Sequence, residues 1–237
     1  MKTIFTTIIV LTMFTFTSCK NKEKVETTEE AVVDTDAPIV KETQAFEPFQ
    51  VMAVSHVVKD YDVWKKGFDE DEINRSESGL TLRLLARGTD NPNMVYIFLN
   101  ASDLQKAKDF ANSTKLKEVM QKLGVIGKPE INYADVVRFE ESPAELKGRV
   151  RLTTKVKDFD AWLKVYDAEG PETRAANGFI DRAIARSVEN PNLIYLTFAI
   201  SDLEKAKARF KSPELQKIMN EAGVITKPVF DYFTSVE

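Results

Sequence analysis

A single histidine, His56, and a single cysteine, Cys19, are the rarest reactive side chains in the sequence. An imidazole at His56 can act as a general base near neutral pH, donate to a bound carbonyl or ligate a haem iron. The order Met52, Val54, His56, Val58 sets it among apolar neighbours on one face of a strand, where the competing reading is a half-buried histidine bonded to a backbone carbonyl. Arg83 and Arg87 recur, at the same spacing, as Arg182 and Arg186. Guanidinium forks in that arrangement suit an anionic ligand, and equally suit ion pairs between packed strands. Tyr96 and Tyr195 match each other as phenol donors, and Trp64 adds an aromatic wall that reads equally as core. His56, Trp64, Arg83, Arg87, Tyr96, Arg182, Arg186 and Tyr195 are therefore the candidate ligand-binding residues, and His56 is the candidate catalytic one.

Several chemistries are excluded at once. One Cys and one His cannot build a disulfide framework, a Cys/His zinc site or a two-histidine site, so no metal is expected. No nucleophile motif, phosphate loop or dinucleotide fingerprint occurs, so no cofactor is expected either. The 237 residues are 43% hydrophobic and carry 33 basic against 37 acidic side chains. That is the mixture of a soluble protein without the basic face of a nucleic-acid binder, so a nucleic-acid partner is not expected.

The elements that must position these side chains come from a duplication. Lys59-Asp60-Tyr61-Asp62-Val63-Trp64 recurs as Lys157-Asp158-Phe159-Asp160-Ala161-Trp162, and Asn91-Pro92-Asn93 recurs as Asn190-Pro191-Asn192. Gly124-Val125-Ile126 likewise returns as Gly223-Val224-Ile225. A period near 100 residues is too long for a solenoid unit, so each copy, 50–140 and 149–237, is expected to be a small domain. Within the first copy, strands are predicted over Val51 to Val58, Leu80 to Arg87, Met94 to Leu99 and Ile131 to Phe139. Asp60 caps a helix with Tyr61, Trp64 and Phe68 on one face, and Ser102-Asp103-Leu104-Gln105 reads as a capping box. A further helical face with Leu116, Val119 and Leu123 follows a break near Ser113. The third strand is apolar on both sides, Met94, Tyr96 and Phe98 against Val95, Ile97 and Leu99. Helices can cover only one of these faces, so the other is expected to meet the second copy's sheet.

This order, strand, helix, strand, strand, helix, strand, resembles the ferredoxin-like βαββαβ fold. Over Val51 to Phe139 and Arg149 to Val236 it is similar to the dimeric α/β barrel superfamily that contains antibiotic-biosynthesis-monooxygenase-like proteins. The resemblance implies an α+β chain of two tandem repeats packed sheet to sheet as an intrachain pseudo-dimer, with ligand pockets between sheet and helices. It admits a non-catalytic binder of a small hydrophobic or aromatic molecule. Alternatives are a cofactor-independent monooxygenase or cyclase-like enzyme using His56, or a non-catalytic interaction module. In the enzyme reading only the first repeat is active, because Thr154 stands where His56 would recur. Between the repeats, Ser142-Pro143-Ala144-Glu145 is expected to start a short helical turn.

Residues 1–18 read as a leader: Lys2 is followed by the uncharged stretch Ile4 to Phe16, too short to span a bilayer comfortably. The leader ends in Phe16-Thr17-Ser18-Cys19, which resembles the lipobox of bacterial lipoproteins. That resemblance implies acylation of Cys19, a lipid bilayer as partner and a place in the cell envelope; the alternative is a secretory cut that leaves a free thiol. Residues 19–49 are expected to form a flexible acidic tether, with four lysines against eight carboxylates from Lys20 to Pro48. Radiolabelled fatty acid is expected on the wild-type chain and not on the Cys19→Ala variant, and label that survives the substitution contradicts the anchor.

Overall fold

Six short polar side chains start the helices. Asp60, Asp103 and Ser113 in the first repeat, and Asp158, Asp202 and Ser212 in the second, each accept a hydrogen bond from the backbone N–H three residues on. Each thereby satisfies a donor that the first helical turn leaves open. The computed structural model describes residues 46–236 apart from 142 and 144. The leader, Cys19 and most of the tether lie outside the described residues, as does part of the turn expected at 142–145.

The first repeat runs β1 (Phe49–Val58), α1 (Tyr61–Glu70), α2 (Glu72–Glu77), β2 (Leu80–Gly88), β3 (Met94–Ala101), α3 (Leu104–Asn112), α4 (Thr114–Lys122) and β4 (Val125–Phe139). The second runs β5 (Gly148–Lys155), α5 (Phe159–Glu169), α6 (Pro171–Ala176), β6 (Phe179–Ser187), β7 (Leu193–Ile200), α7 (Leu203–Lys211), α8 (Pro213–Glu221) and β8 (Val229–Ser235). The eight strands close into one antiparallel barrel in the order β1-β3-β2-β8-β5-β7-β6-β4. The two sheets thus face each other and are also joined edge to edge: Ala134 to Phe139 of β4 pair with Ala183 to Ser187 of β6, and Ala86 to Gly88 of β2 with Phe233 to Ser235 of β8.

Side-chain alternation then sorts the core into layers. Val95, Ile97 and Leu99 of β3 face the helices with Trp64, Phe68 and Ala107, while Met94, Tyr96 and Phe98 point into the barrel. The second repeat has the equivalent helix-side core around Trp162, Phe198 and Phe210. Three readings of the sequence are corrected. The third helix is capped by Asp103 and not by Ser102, whose hydroxyl donates to the Gly79 carbonyl and ties the helix start to β2. The strand expected from Ile131 begins at Val125; residues 127–129 loop out opposite His56, with Gly127 at φ 73, so Pro129 costs no ladder hydrogen bond. The short helices α2 and α6 carry no periodic signal and were not anticipated.

Those short helices place buried arginines. Arg174 of α6 donates from Nε and Nη2 to the Asp181 carboxylate, both at 2.7 Å, and from Nη1 to the Tyr166 carbonyl at 2.8 Å. Arg75 stands at the equivalent place in α2, but Leu82 replaces the aspartate and Arg75 instead lies over the Phe68 ring at 3.7 Å. Arg174→Met leaves Asp181 buried without its partner and is expected to lower the unfolding free energy in urea by about 3–5 kcal/mol. Adding Asp181→Leu, the residue found at 82, is expected to restore most of the loss; equal destabilisation in the single and double variants contradicts this.

Candidate ligand cavity inside the barrel

Small side chains on one wall of the barrel leave space. Val51 and Ala53 on β1, Ala134 and Val136 on β4, and Ala183 and Ala185 on β6 surround a cavity of about 490 Å³, within the ~300–1,000 Å³ usual for small-molecule sites. Both repeats build it, and its exposed lining residues Leu82, Arg83 and Glu141 mark its mouth. The mouth exists because β4 pairs along its whole end with β6, whereas β8 meets only Ala86 to Gly88 of β2. Further along β3, outside the cavity lining, Tyr96 stacks on the fully buried Phe233, with ring centroids 4.8 Å apart.

β-bulges aim two of the predicted arginines at the mouth. The ladder of β2 slips between Leu82 and Leu84, and that of β6 between Asp181 and Ala183, so Arg83 and Arg182 are the extra residues. The slip breaks the two-residue alternation that would have put Arg83 and Arg87 on one face. Arg83 lies over the rings of Phe49 and Phe139, at 4.3 and 4.1 Å, and Arg182 over Phe139 at 4.9 Å. Arg87 and Arg186 are elsewhere: each donates to the carbonyl of the proline in its turn and covers an aromatic ring at a helix start, Tyr61 and Phe159 respectively.

The sequence reading missed two cavity arginines, Arg149 and Arg151 on β5, which stand where β1 has Val51 and Ala53. The alternation Arg149-Val150-Arg151-Leu152, charged on one face and apolar on the other, was the available signal. Arg151 is paired: its Nε and Nη2 donate to Asp231 at 3.1 and 2.8 Å, and the Tyr96 hydroxyl donates to the same carboxylate at 3.4 Å. Burial and the Asp231 charge push the Tyr96 phenol up to about 12. Tyr195 lines the cavity and donates to the Asn132 side chain at 3.2 Å, and burial raises its phenol as well. At the mouth, burial lowers the guanidinium pKa of Arg83, Arg149 and Arg182; the Arg182 charge lowers Arg149 further, and the Arg83 charge lowers Arg182. Glu141 opposes the shift at Arg83 and Arg182.

His56 and Trp64 do not join this cavity. His56 points to the helix side of the first sheet, edge-on to Trp64 at 5.7 Å, beside a space of about 70 Å³. Thr154 has a space of about 60 Å³ in the second repeat, so no enlarged pocket distinguishes the histidine half. A haem macrocycle is far larger than the space at His56, and the residues present do not fit one. Neither ring nitrogen has a hydrogen-bond partner among the described residues, not even the backbone carbonyl expected, whereas the Thr154 hydroxyl donates to the Thr226 carbonyl at 3.0 Å. Burial depresses the His56 pKa from 6.5 to about 4. Among the described residues no group of three or more His, Cys, Asp or Glu side chains is placed to hold a metal ion.

The depressed histidine pKa has a definite sign. His56 stays neutral in the folded chain while an unfolded histidine protonates below its ordinary pKa, so stability falls as pH drops from 6.5 toward 4. The His56→Leu variant is expected to lose this component, of the order of 3 kcal/mol across that window. Parallel pH profiles of unfolding free energy for the variant and the wild type contradict it.

No protein-family model matches the chain, and no curated protein matches it. Solved structures do. An anthrone oxidase-like protein has a TM-score of 0.55 at 12% identity, covering 80% of this chain and 92% of its own. A candidate monooxygenase from Fusobacterium nucleatum subsp. nucleatum has a TM-score of 0.53 at 12% identity, with 82% and 94% covered. For a candidate chlorite dismutase the values are 0.50 and 10%, with 81% and 96% covered. At such identities the likeness is one of fold: the chain is built as two tandem ferredoxin-like units closed into one barrel.

Proposed function

We propose that the chain is an envelope lipoprotein, held through acylated Cys19, that binds a small and largely apolar molecule inside the closed barrel. The observation that carries this reading is the 490 Å³ cavity, walled by short apolar side chains from both repeats and open at one end. The leader, the lipobox and the acidic stretch that follows them support the anchor. A hydrophobic ligand and a lipid-attached receptor belong together chemically, since the molecules concerned partition into or across the envelope.

The second reading, turnover at His56, draws on an unpartnered, neutral imidazole. The 70 Å³ beside it holds a few waters and no aromatic substrate. Binding without turnover in the barrel is therefore the better-supported function.

The duplication supplies its own control. Ala134 on β4 corresponds to Phe233 on β8, so a phenylalanine at this register is already accommodated once in the barrel. A neutral naphthylamine dye is expected to brighten on binding the wild-type protein, and Ala134→Phe to weaken that binding about tenfold or more by filling the cavity. His56→Ala is expected to leave dye affinity unchanged. Loss of binding in the His56 variant with retention in Ala134→Phe contradicts the barrel site, and silence toward a broad panel of apolar molecules favours the interaction module.

A further inference from the structure

The barrel mouth is more polarised than an apolar binding site requires. Arg83, Arg149 and Arg182 gather there, while Glu141 supplies the one carboxylate in the described cavity lining. The deeper cation, Arg151, is already neutralised by Asp231. Arg83 and Arg182 both lie against the Phe139 ring at the entrance, and the two positive charges act on each other. Among the described residues Arg83 also lies over Phe49 and donates to the Asn100 side chain, at 3.4 Å, Arg182 donates to the Glu140 carbonyl, and Arg149 to the Leu146 and Gly148 carbonyls. Beyond this rim the walls on β1 and β6 are apolar, Val51 and Ala53 on the one and Ala183 and Ala185 on the other, while β5 keeps a polar wall with Arg149 and Arg151.

A molecule that matches this gradient is charged at one end only. Resting on the barrel-binding reading, we infer that the ligand is a carboxylate-bearing amphiphile, its head group held at the mouth by Arg83 and Arg182 and its apolar body in the barrel. A guanidinium fork matches a carboxylate through paired N–H donors, and the partly desolvated mouth strengthens such bonds. Glu141 lines the same mouth, its charge acts on the same two arginines, and it serves as a resident counter-ion that the ligand displaces. The arrangement also sets polarity of entry, tail first, because the arginines hold the head group at the mouth.

Decanoate and decan-1-ol share an apolar chain and differ in the head group, so they separate this inference from the reading beneath it. In displacement of the neutral dye from the intact protein at pH 7, decanoate is expected to compete at least about tenfold better than the alcohol. Arg83→Gln/Arg182→Gln, with its thermal unfolding checked, is expected to abolish that preference while dye binding persists. Glu141→Gln is expected to tighten decanoate and leave decan-1-ol unchanged. Equal competition by acid and alcohol overturns the carboxylate inference and leaves the barrel reading intact. A preference that survives the double arginine variant, or a Glu141→Gln that weakens decanoate, overturns the assigned site. Absence of dye binding and of protection by either amphiphile overturns the barrel reading itself, and the inference with it.

Discussion

The backbone hydrogen bonding of β4 to β6 and of β2 to β8 is the interaction on which everything else in this molecule depends. Each repeat alone is an antiparallel sheet with helices on one face, and its other face also carries apolar side chains. Such a sheet is left with an uncovered hydrophobic surface and two open edges, both unfavourable in water. Joining the edges across the repeats removes both faults in one step, and turns two outer surfaces into one interior. The joints are unequal, and their inequality matters: the long one seals a side of the barrel, and the short one leaves the beginning of β2 open as an entrance.

Duplication then allowed the two halves of that interior to diverge while the backbone stayed the same. Val51, Ala53, Asn132 and Ala134 in the first repeat face Arg149, Arg151, Asp231 and Phe233 at the corresponding places in the second. At these four positions the first repeat supplies space and the second supplies charge and bulk. A symmetric pairing would have given either a filled core or a ring of repelling cations, each without a ligand site of this kind. The buried Arg151 is tolerable because Asp231 lies directly across the strand pair from it, as a desolvated guanidinium requires. The helix-side layers went the other way: Arg174 kept a carboxylate at Asp181, and Arg75, with Leu82 at the corresponding position, is held by the ring and the carbonyl of Phe68.

Much of this was legible in the residues. The repeat, the two-sided strand Met94 to Leu99 and the aspartate caps are local patterns, and they suffice for element order and for the pairing of two sheets. The joints between repeats were not legible, because backbone ladders between edge strands leave little trace in side-chain identity. Nor were the bulges at Arg83 and Arg182, where a single unpaired residue separates arginines that simple alternation places together. The uniqueness of His56 drew attention to a residue that packs under α1, while the charged face of β5, equally visible, forms the polar wall of the cavity. A difference between repeats informs about function only when its direction, inward or outward, is known.

Hydrogen exchange of the intact protein with and without a saturating apolar carboxylate tests the barrel site most directly. Added protection is expected along the cavity strands, at 49–53, 132–139, 149–151 and 182–185, with α1 and α4 unchanged. Protection concentrated over α1 and α4, the helices that cover His56, with the barrel strands unaffected, would contradict a ligand site inside the barrel.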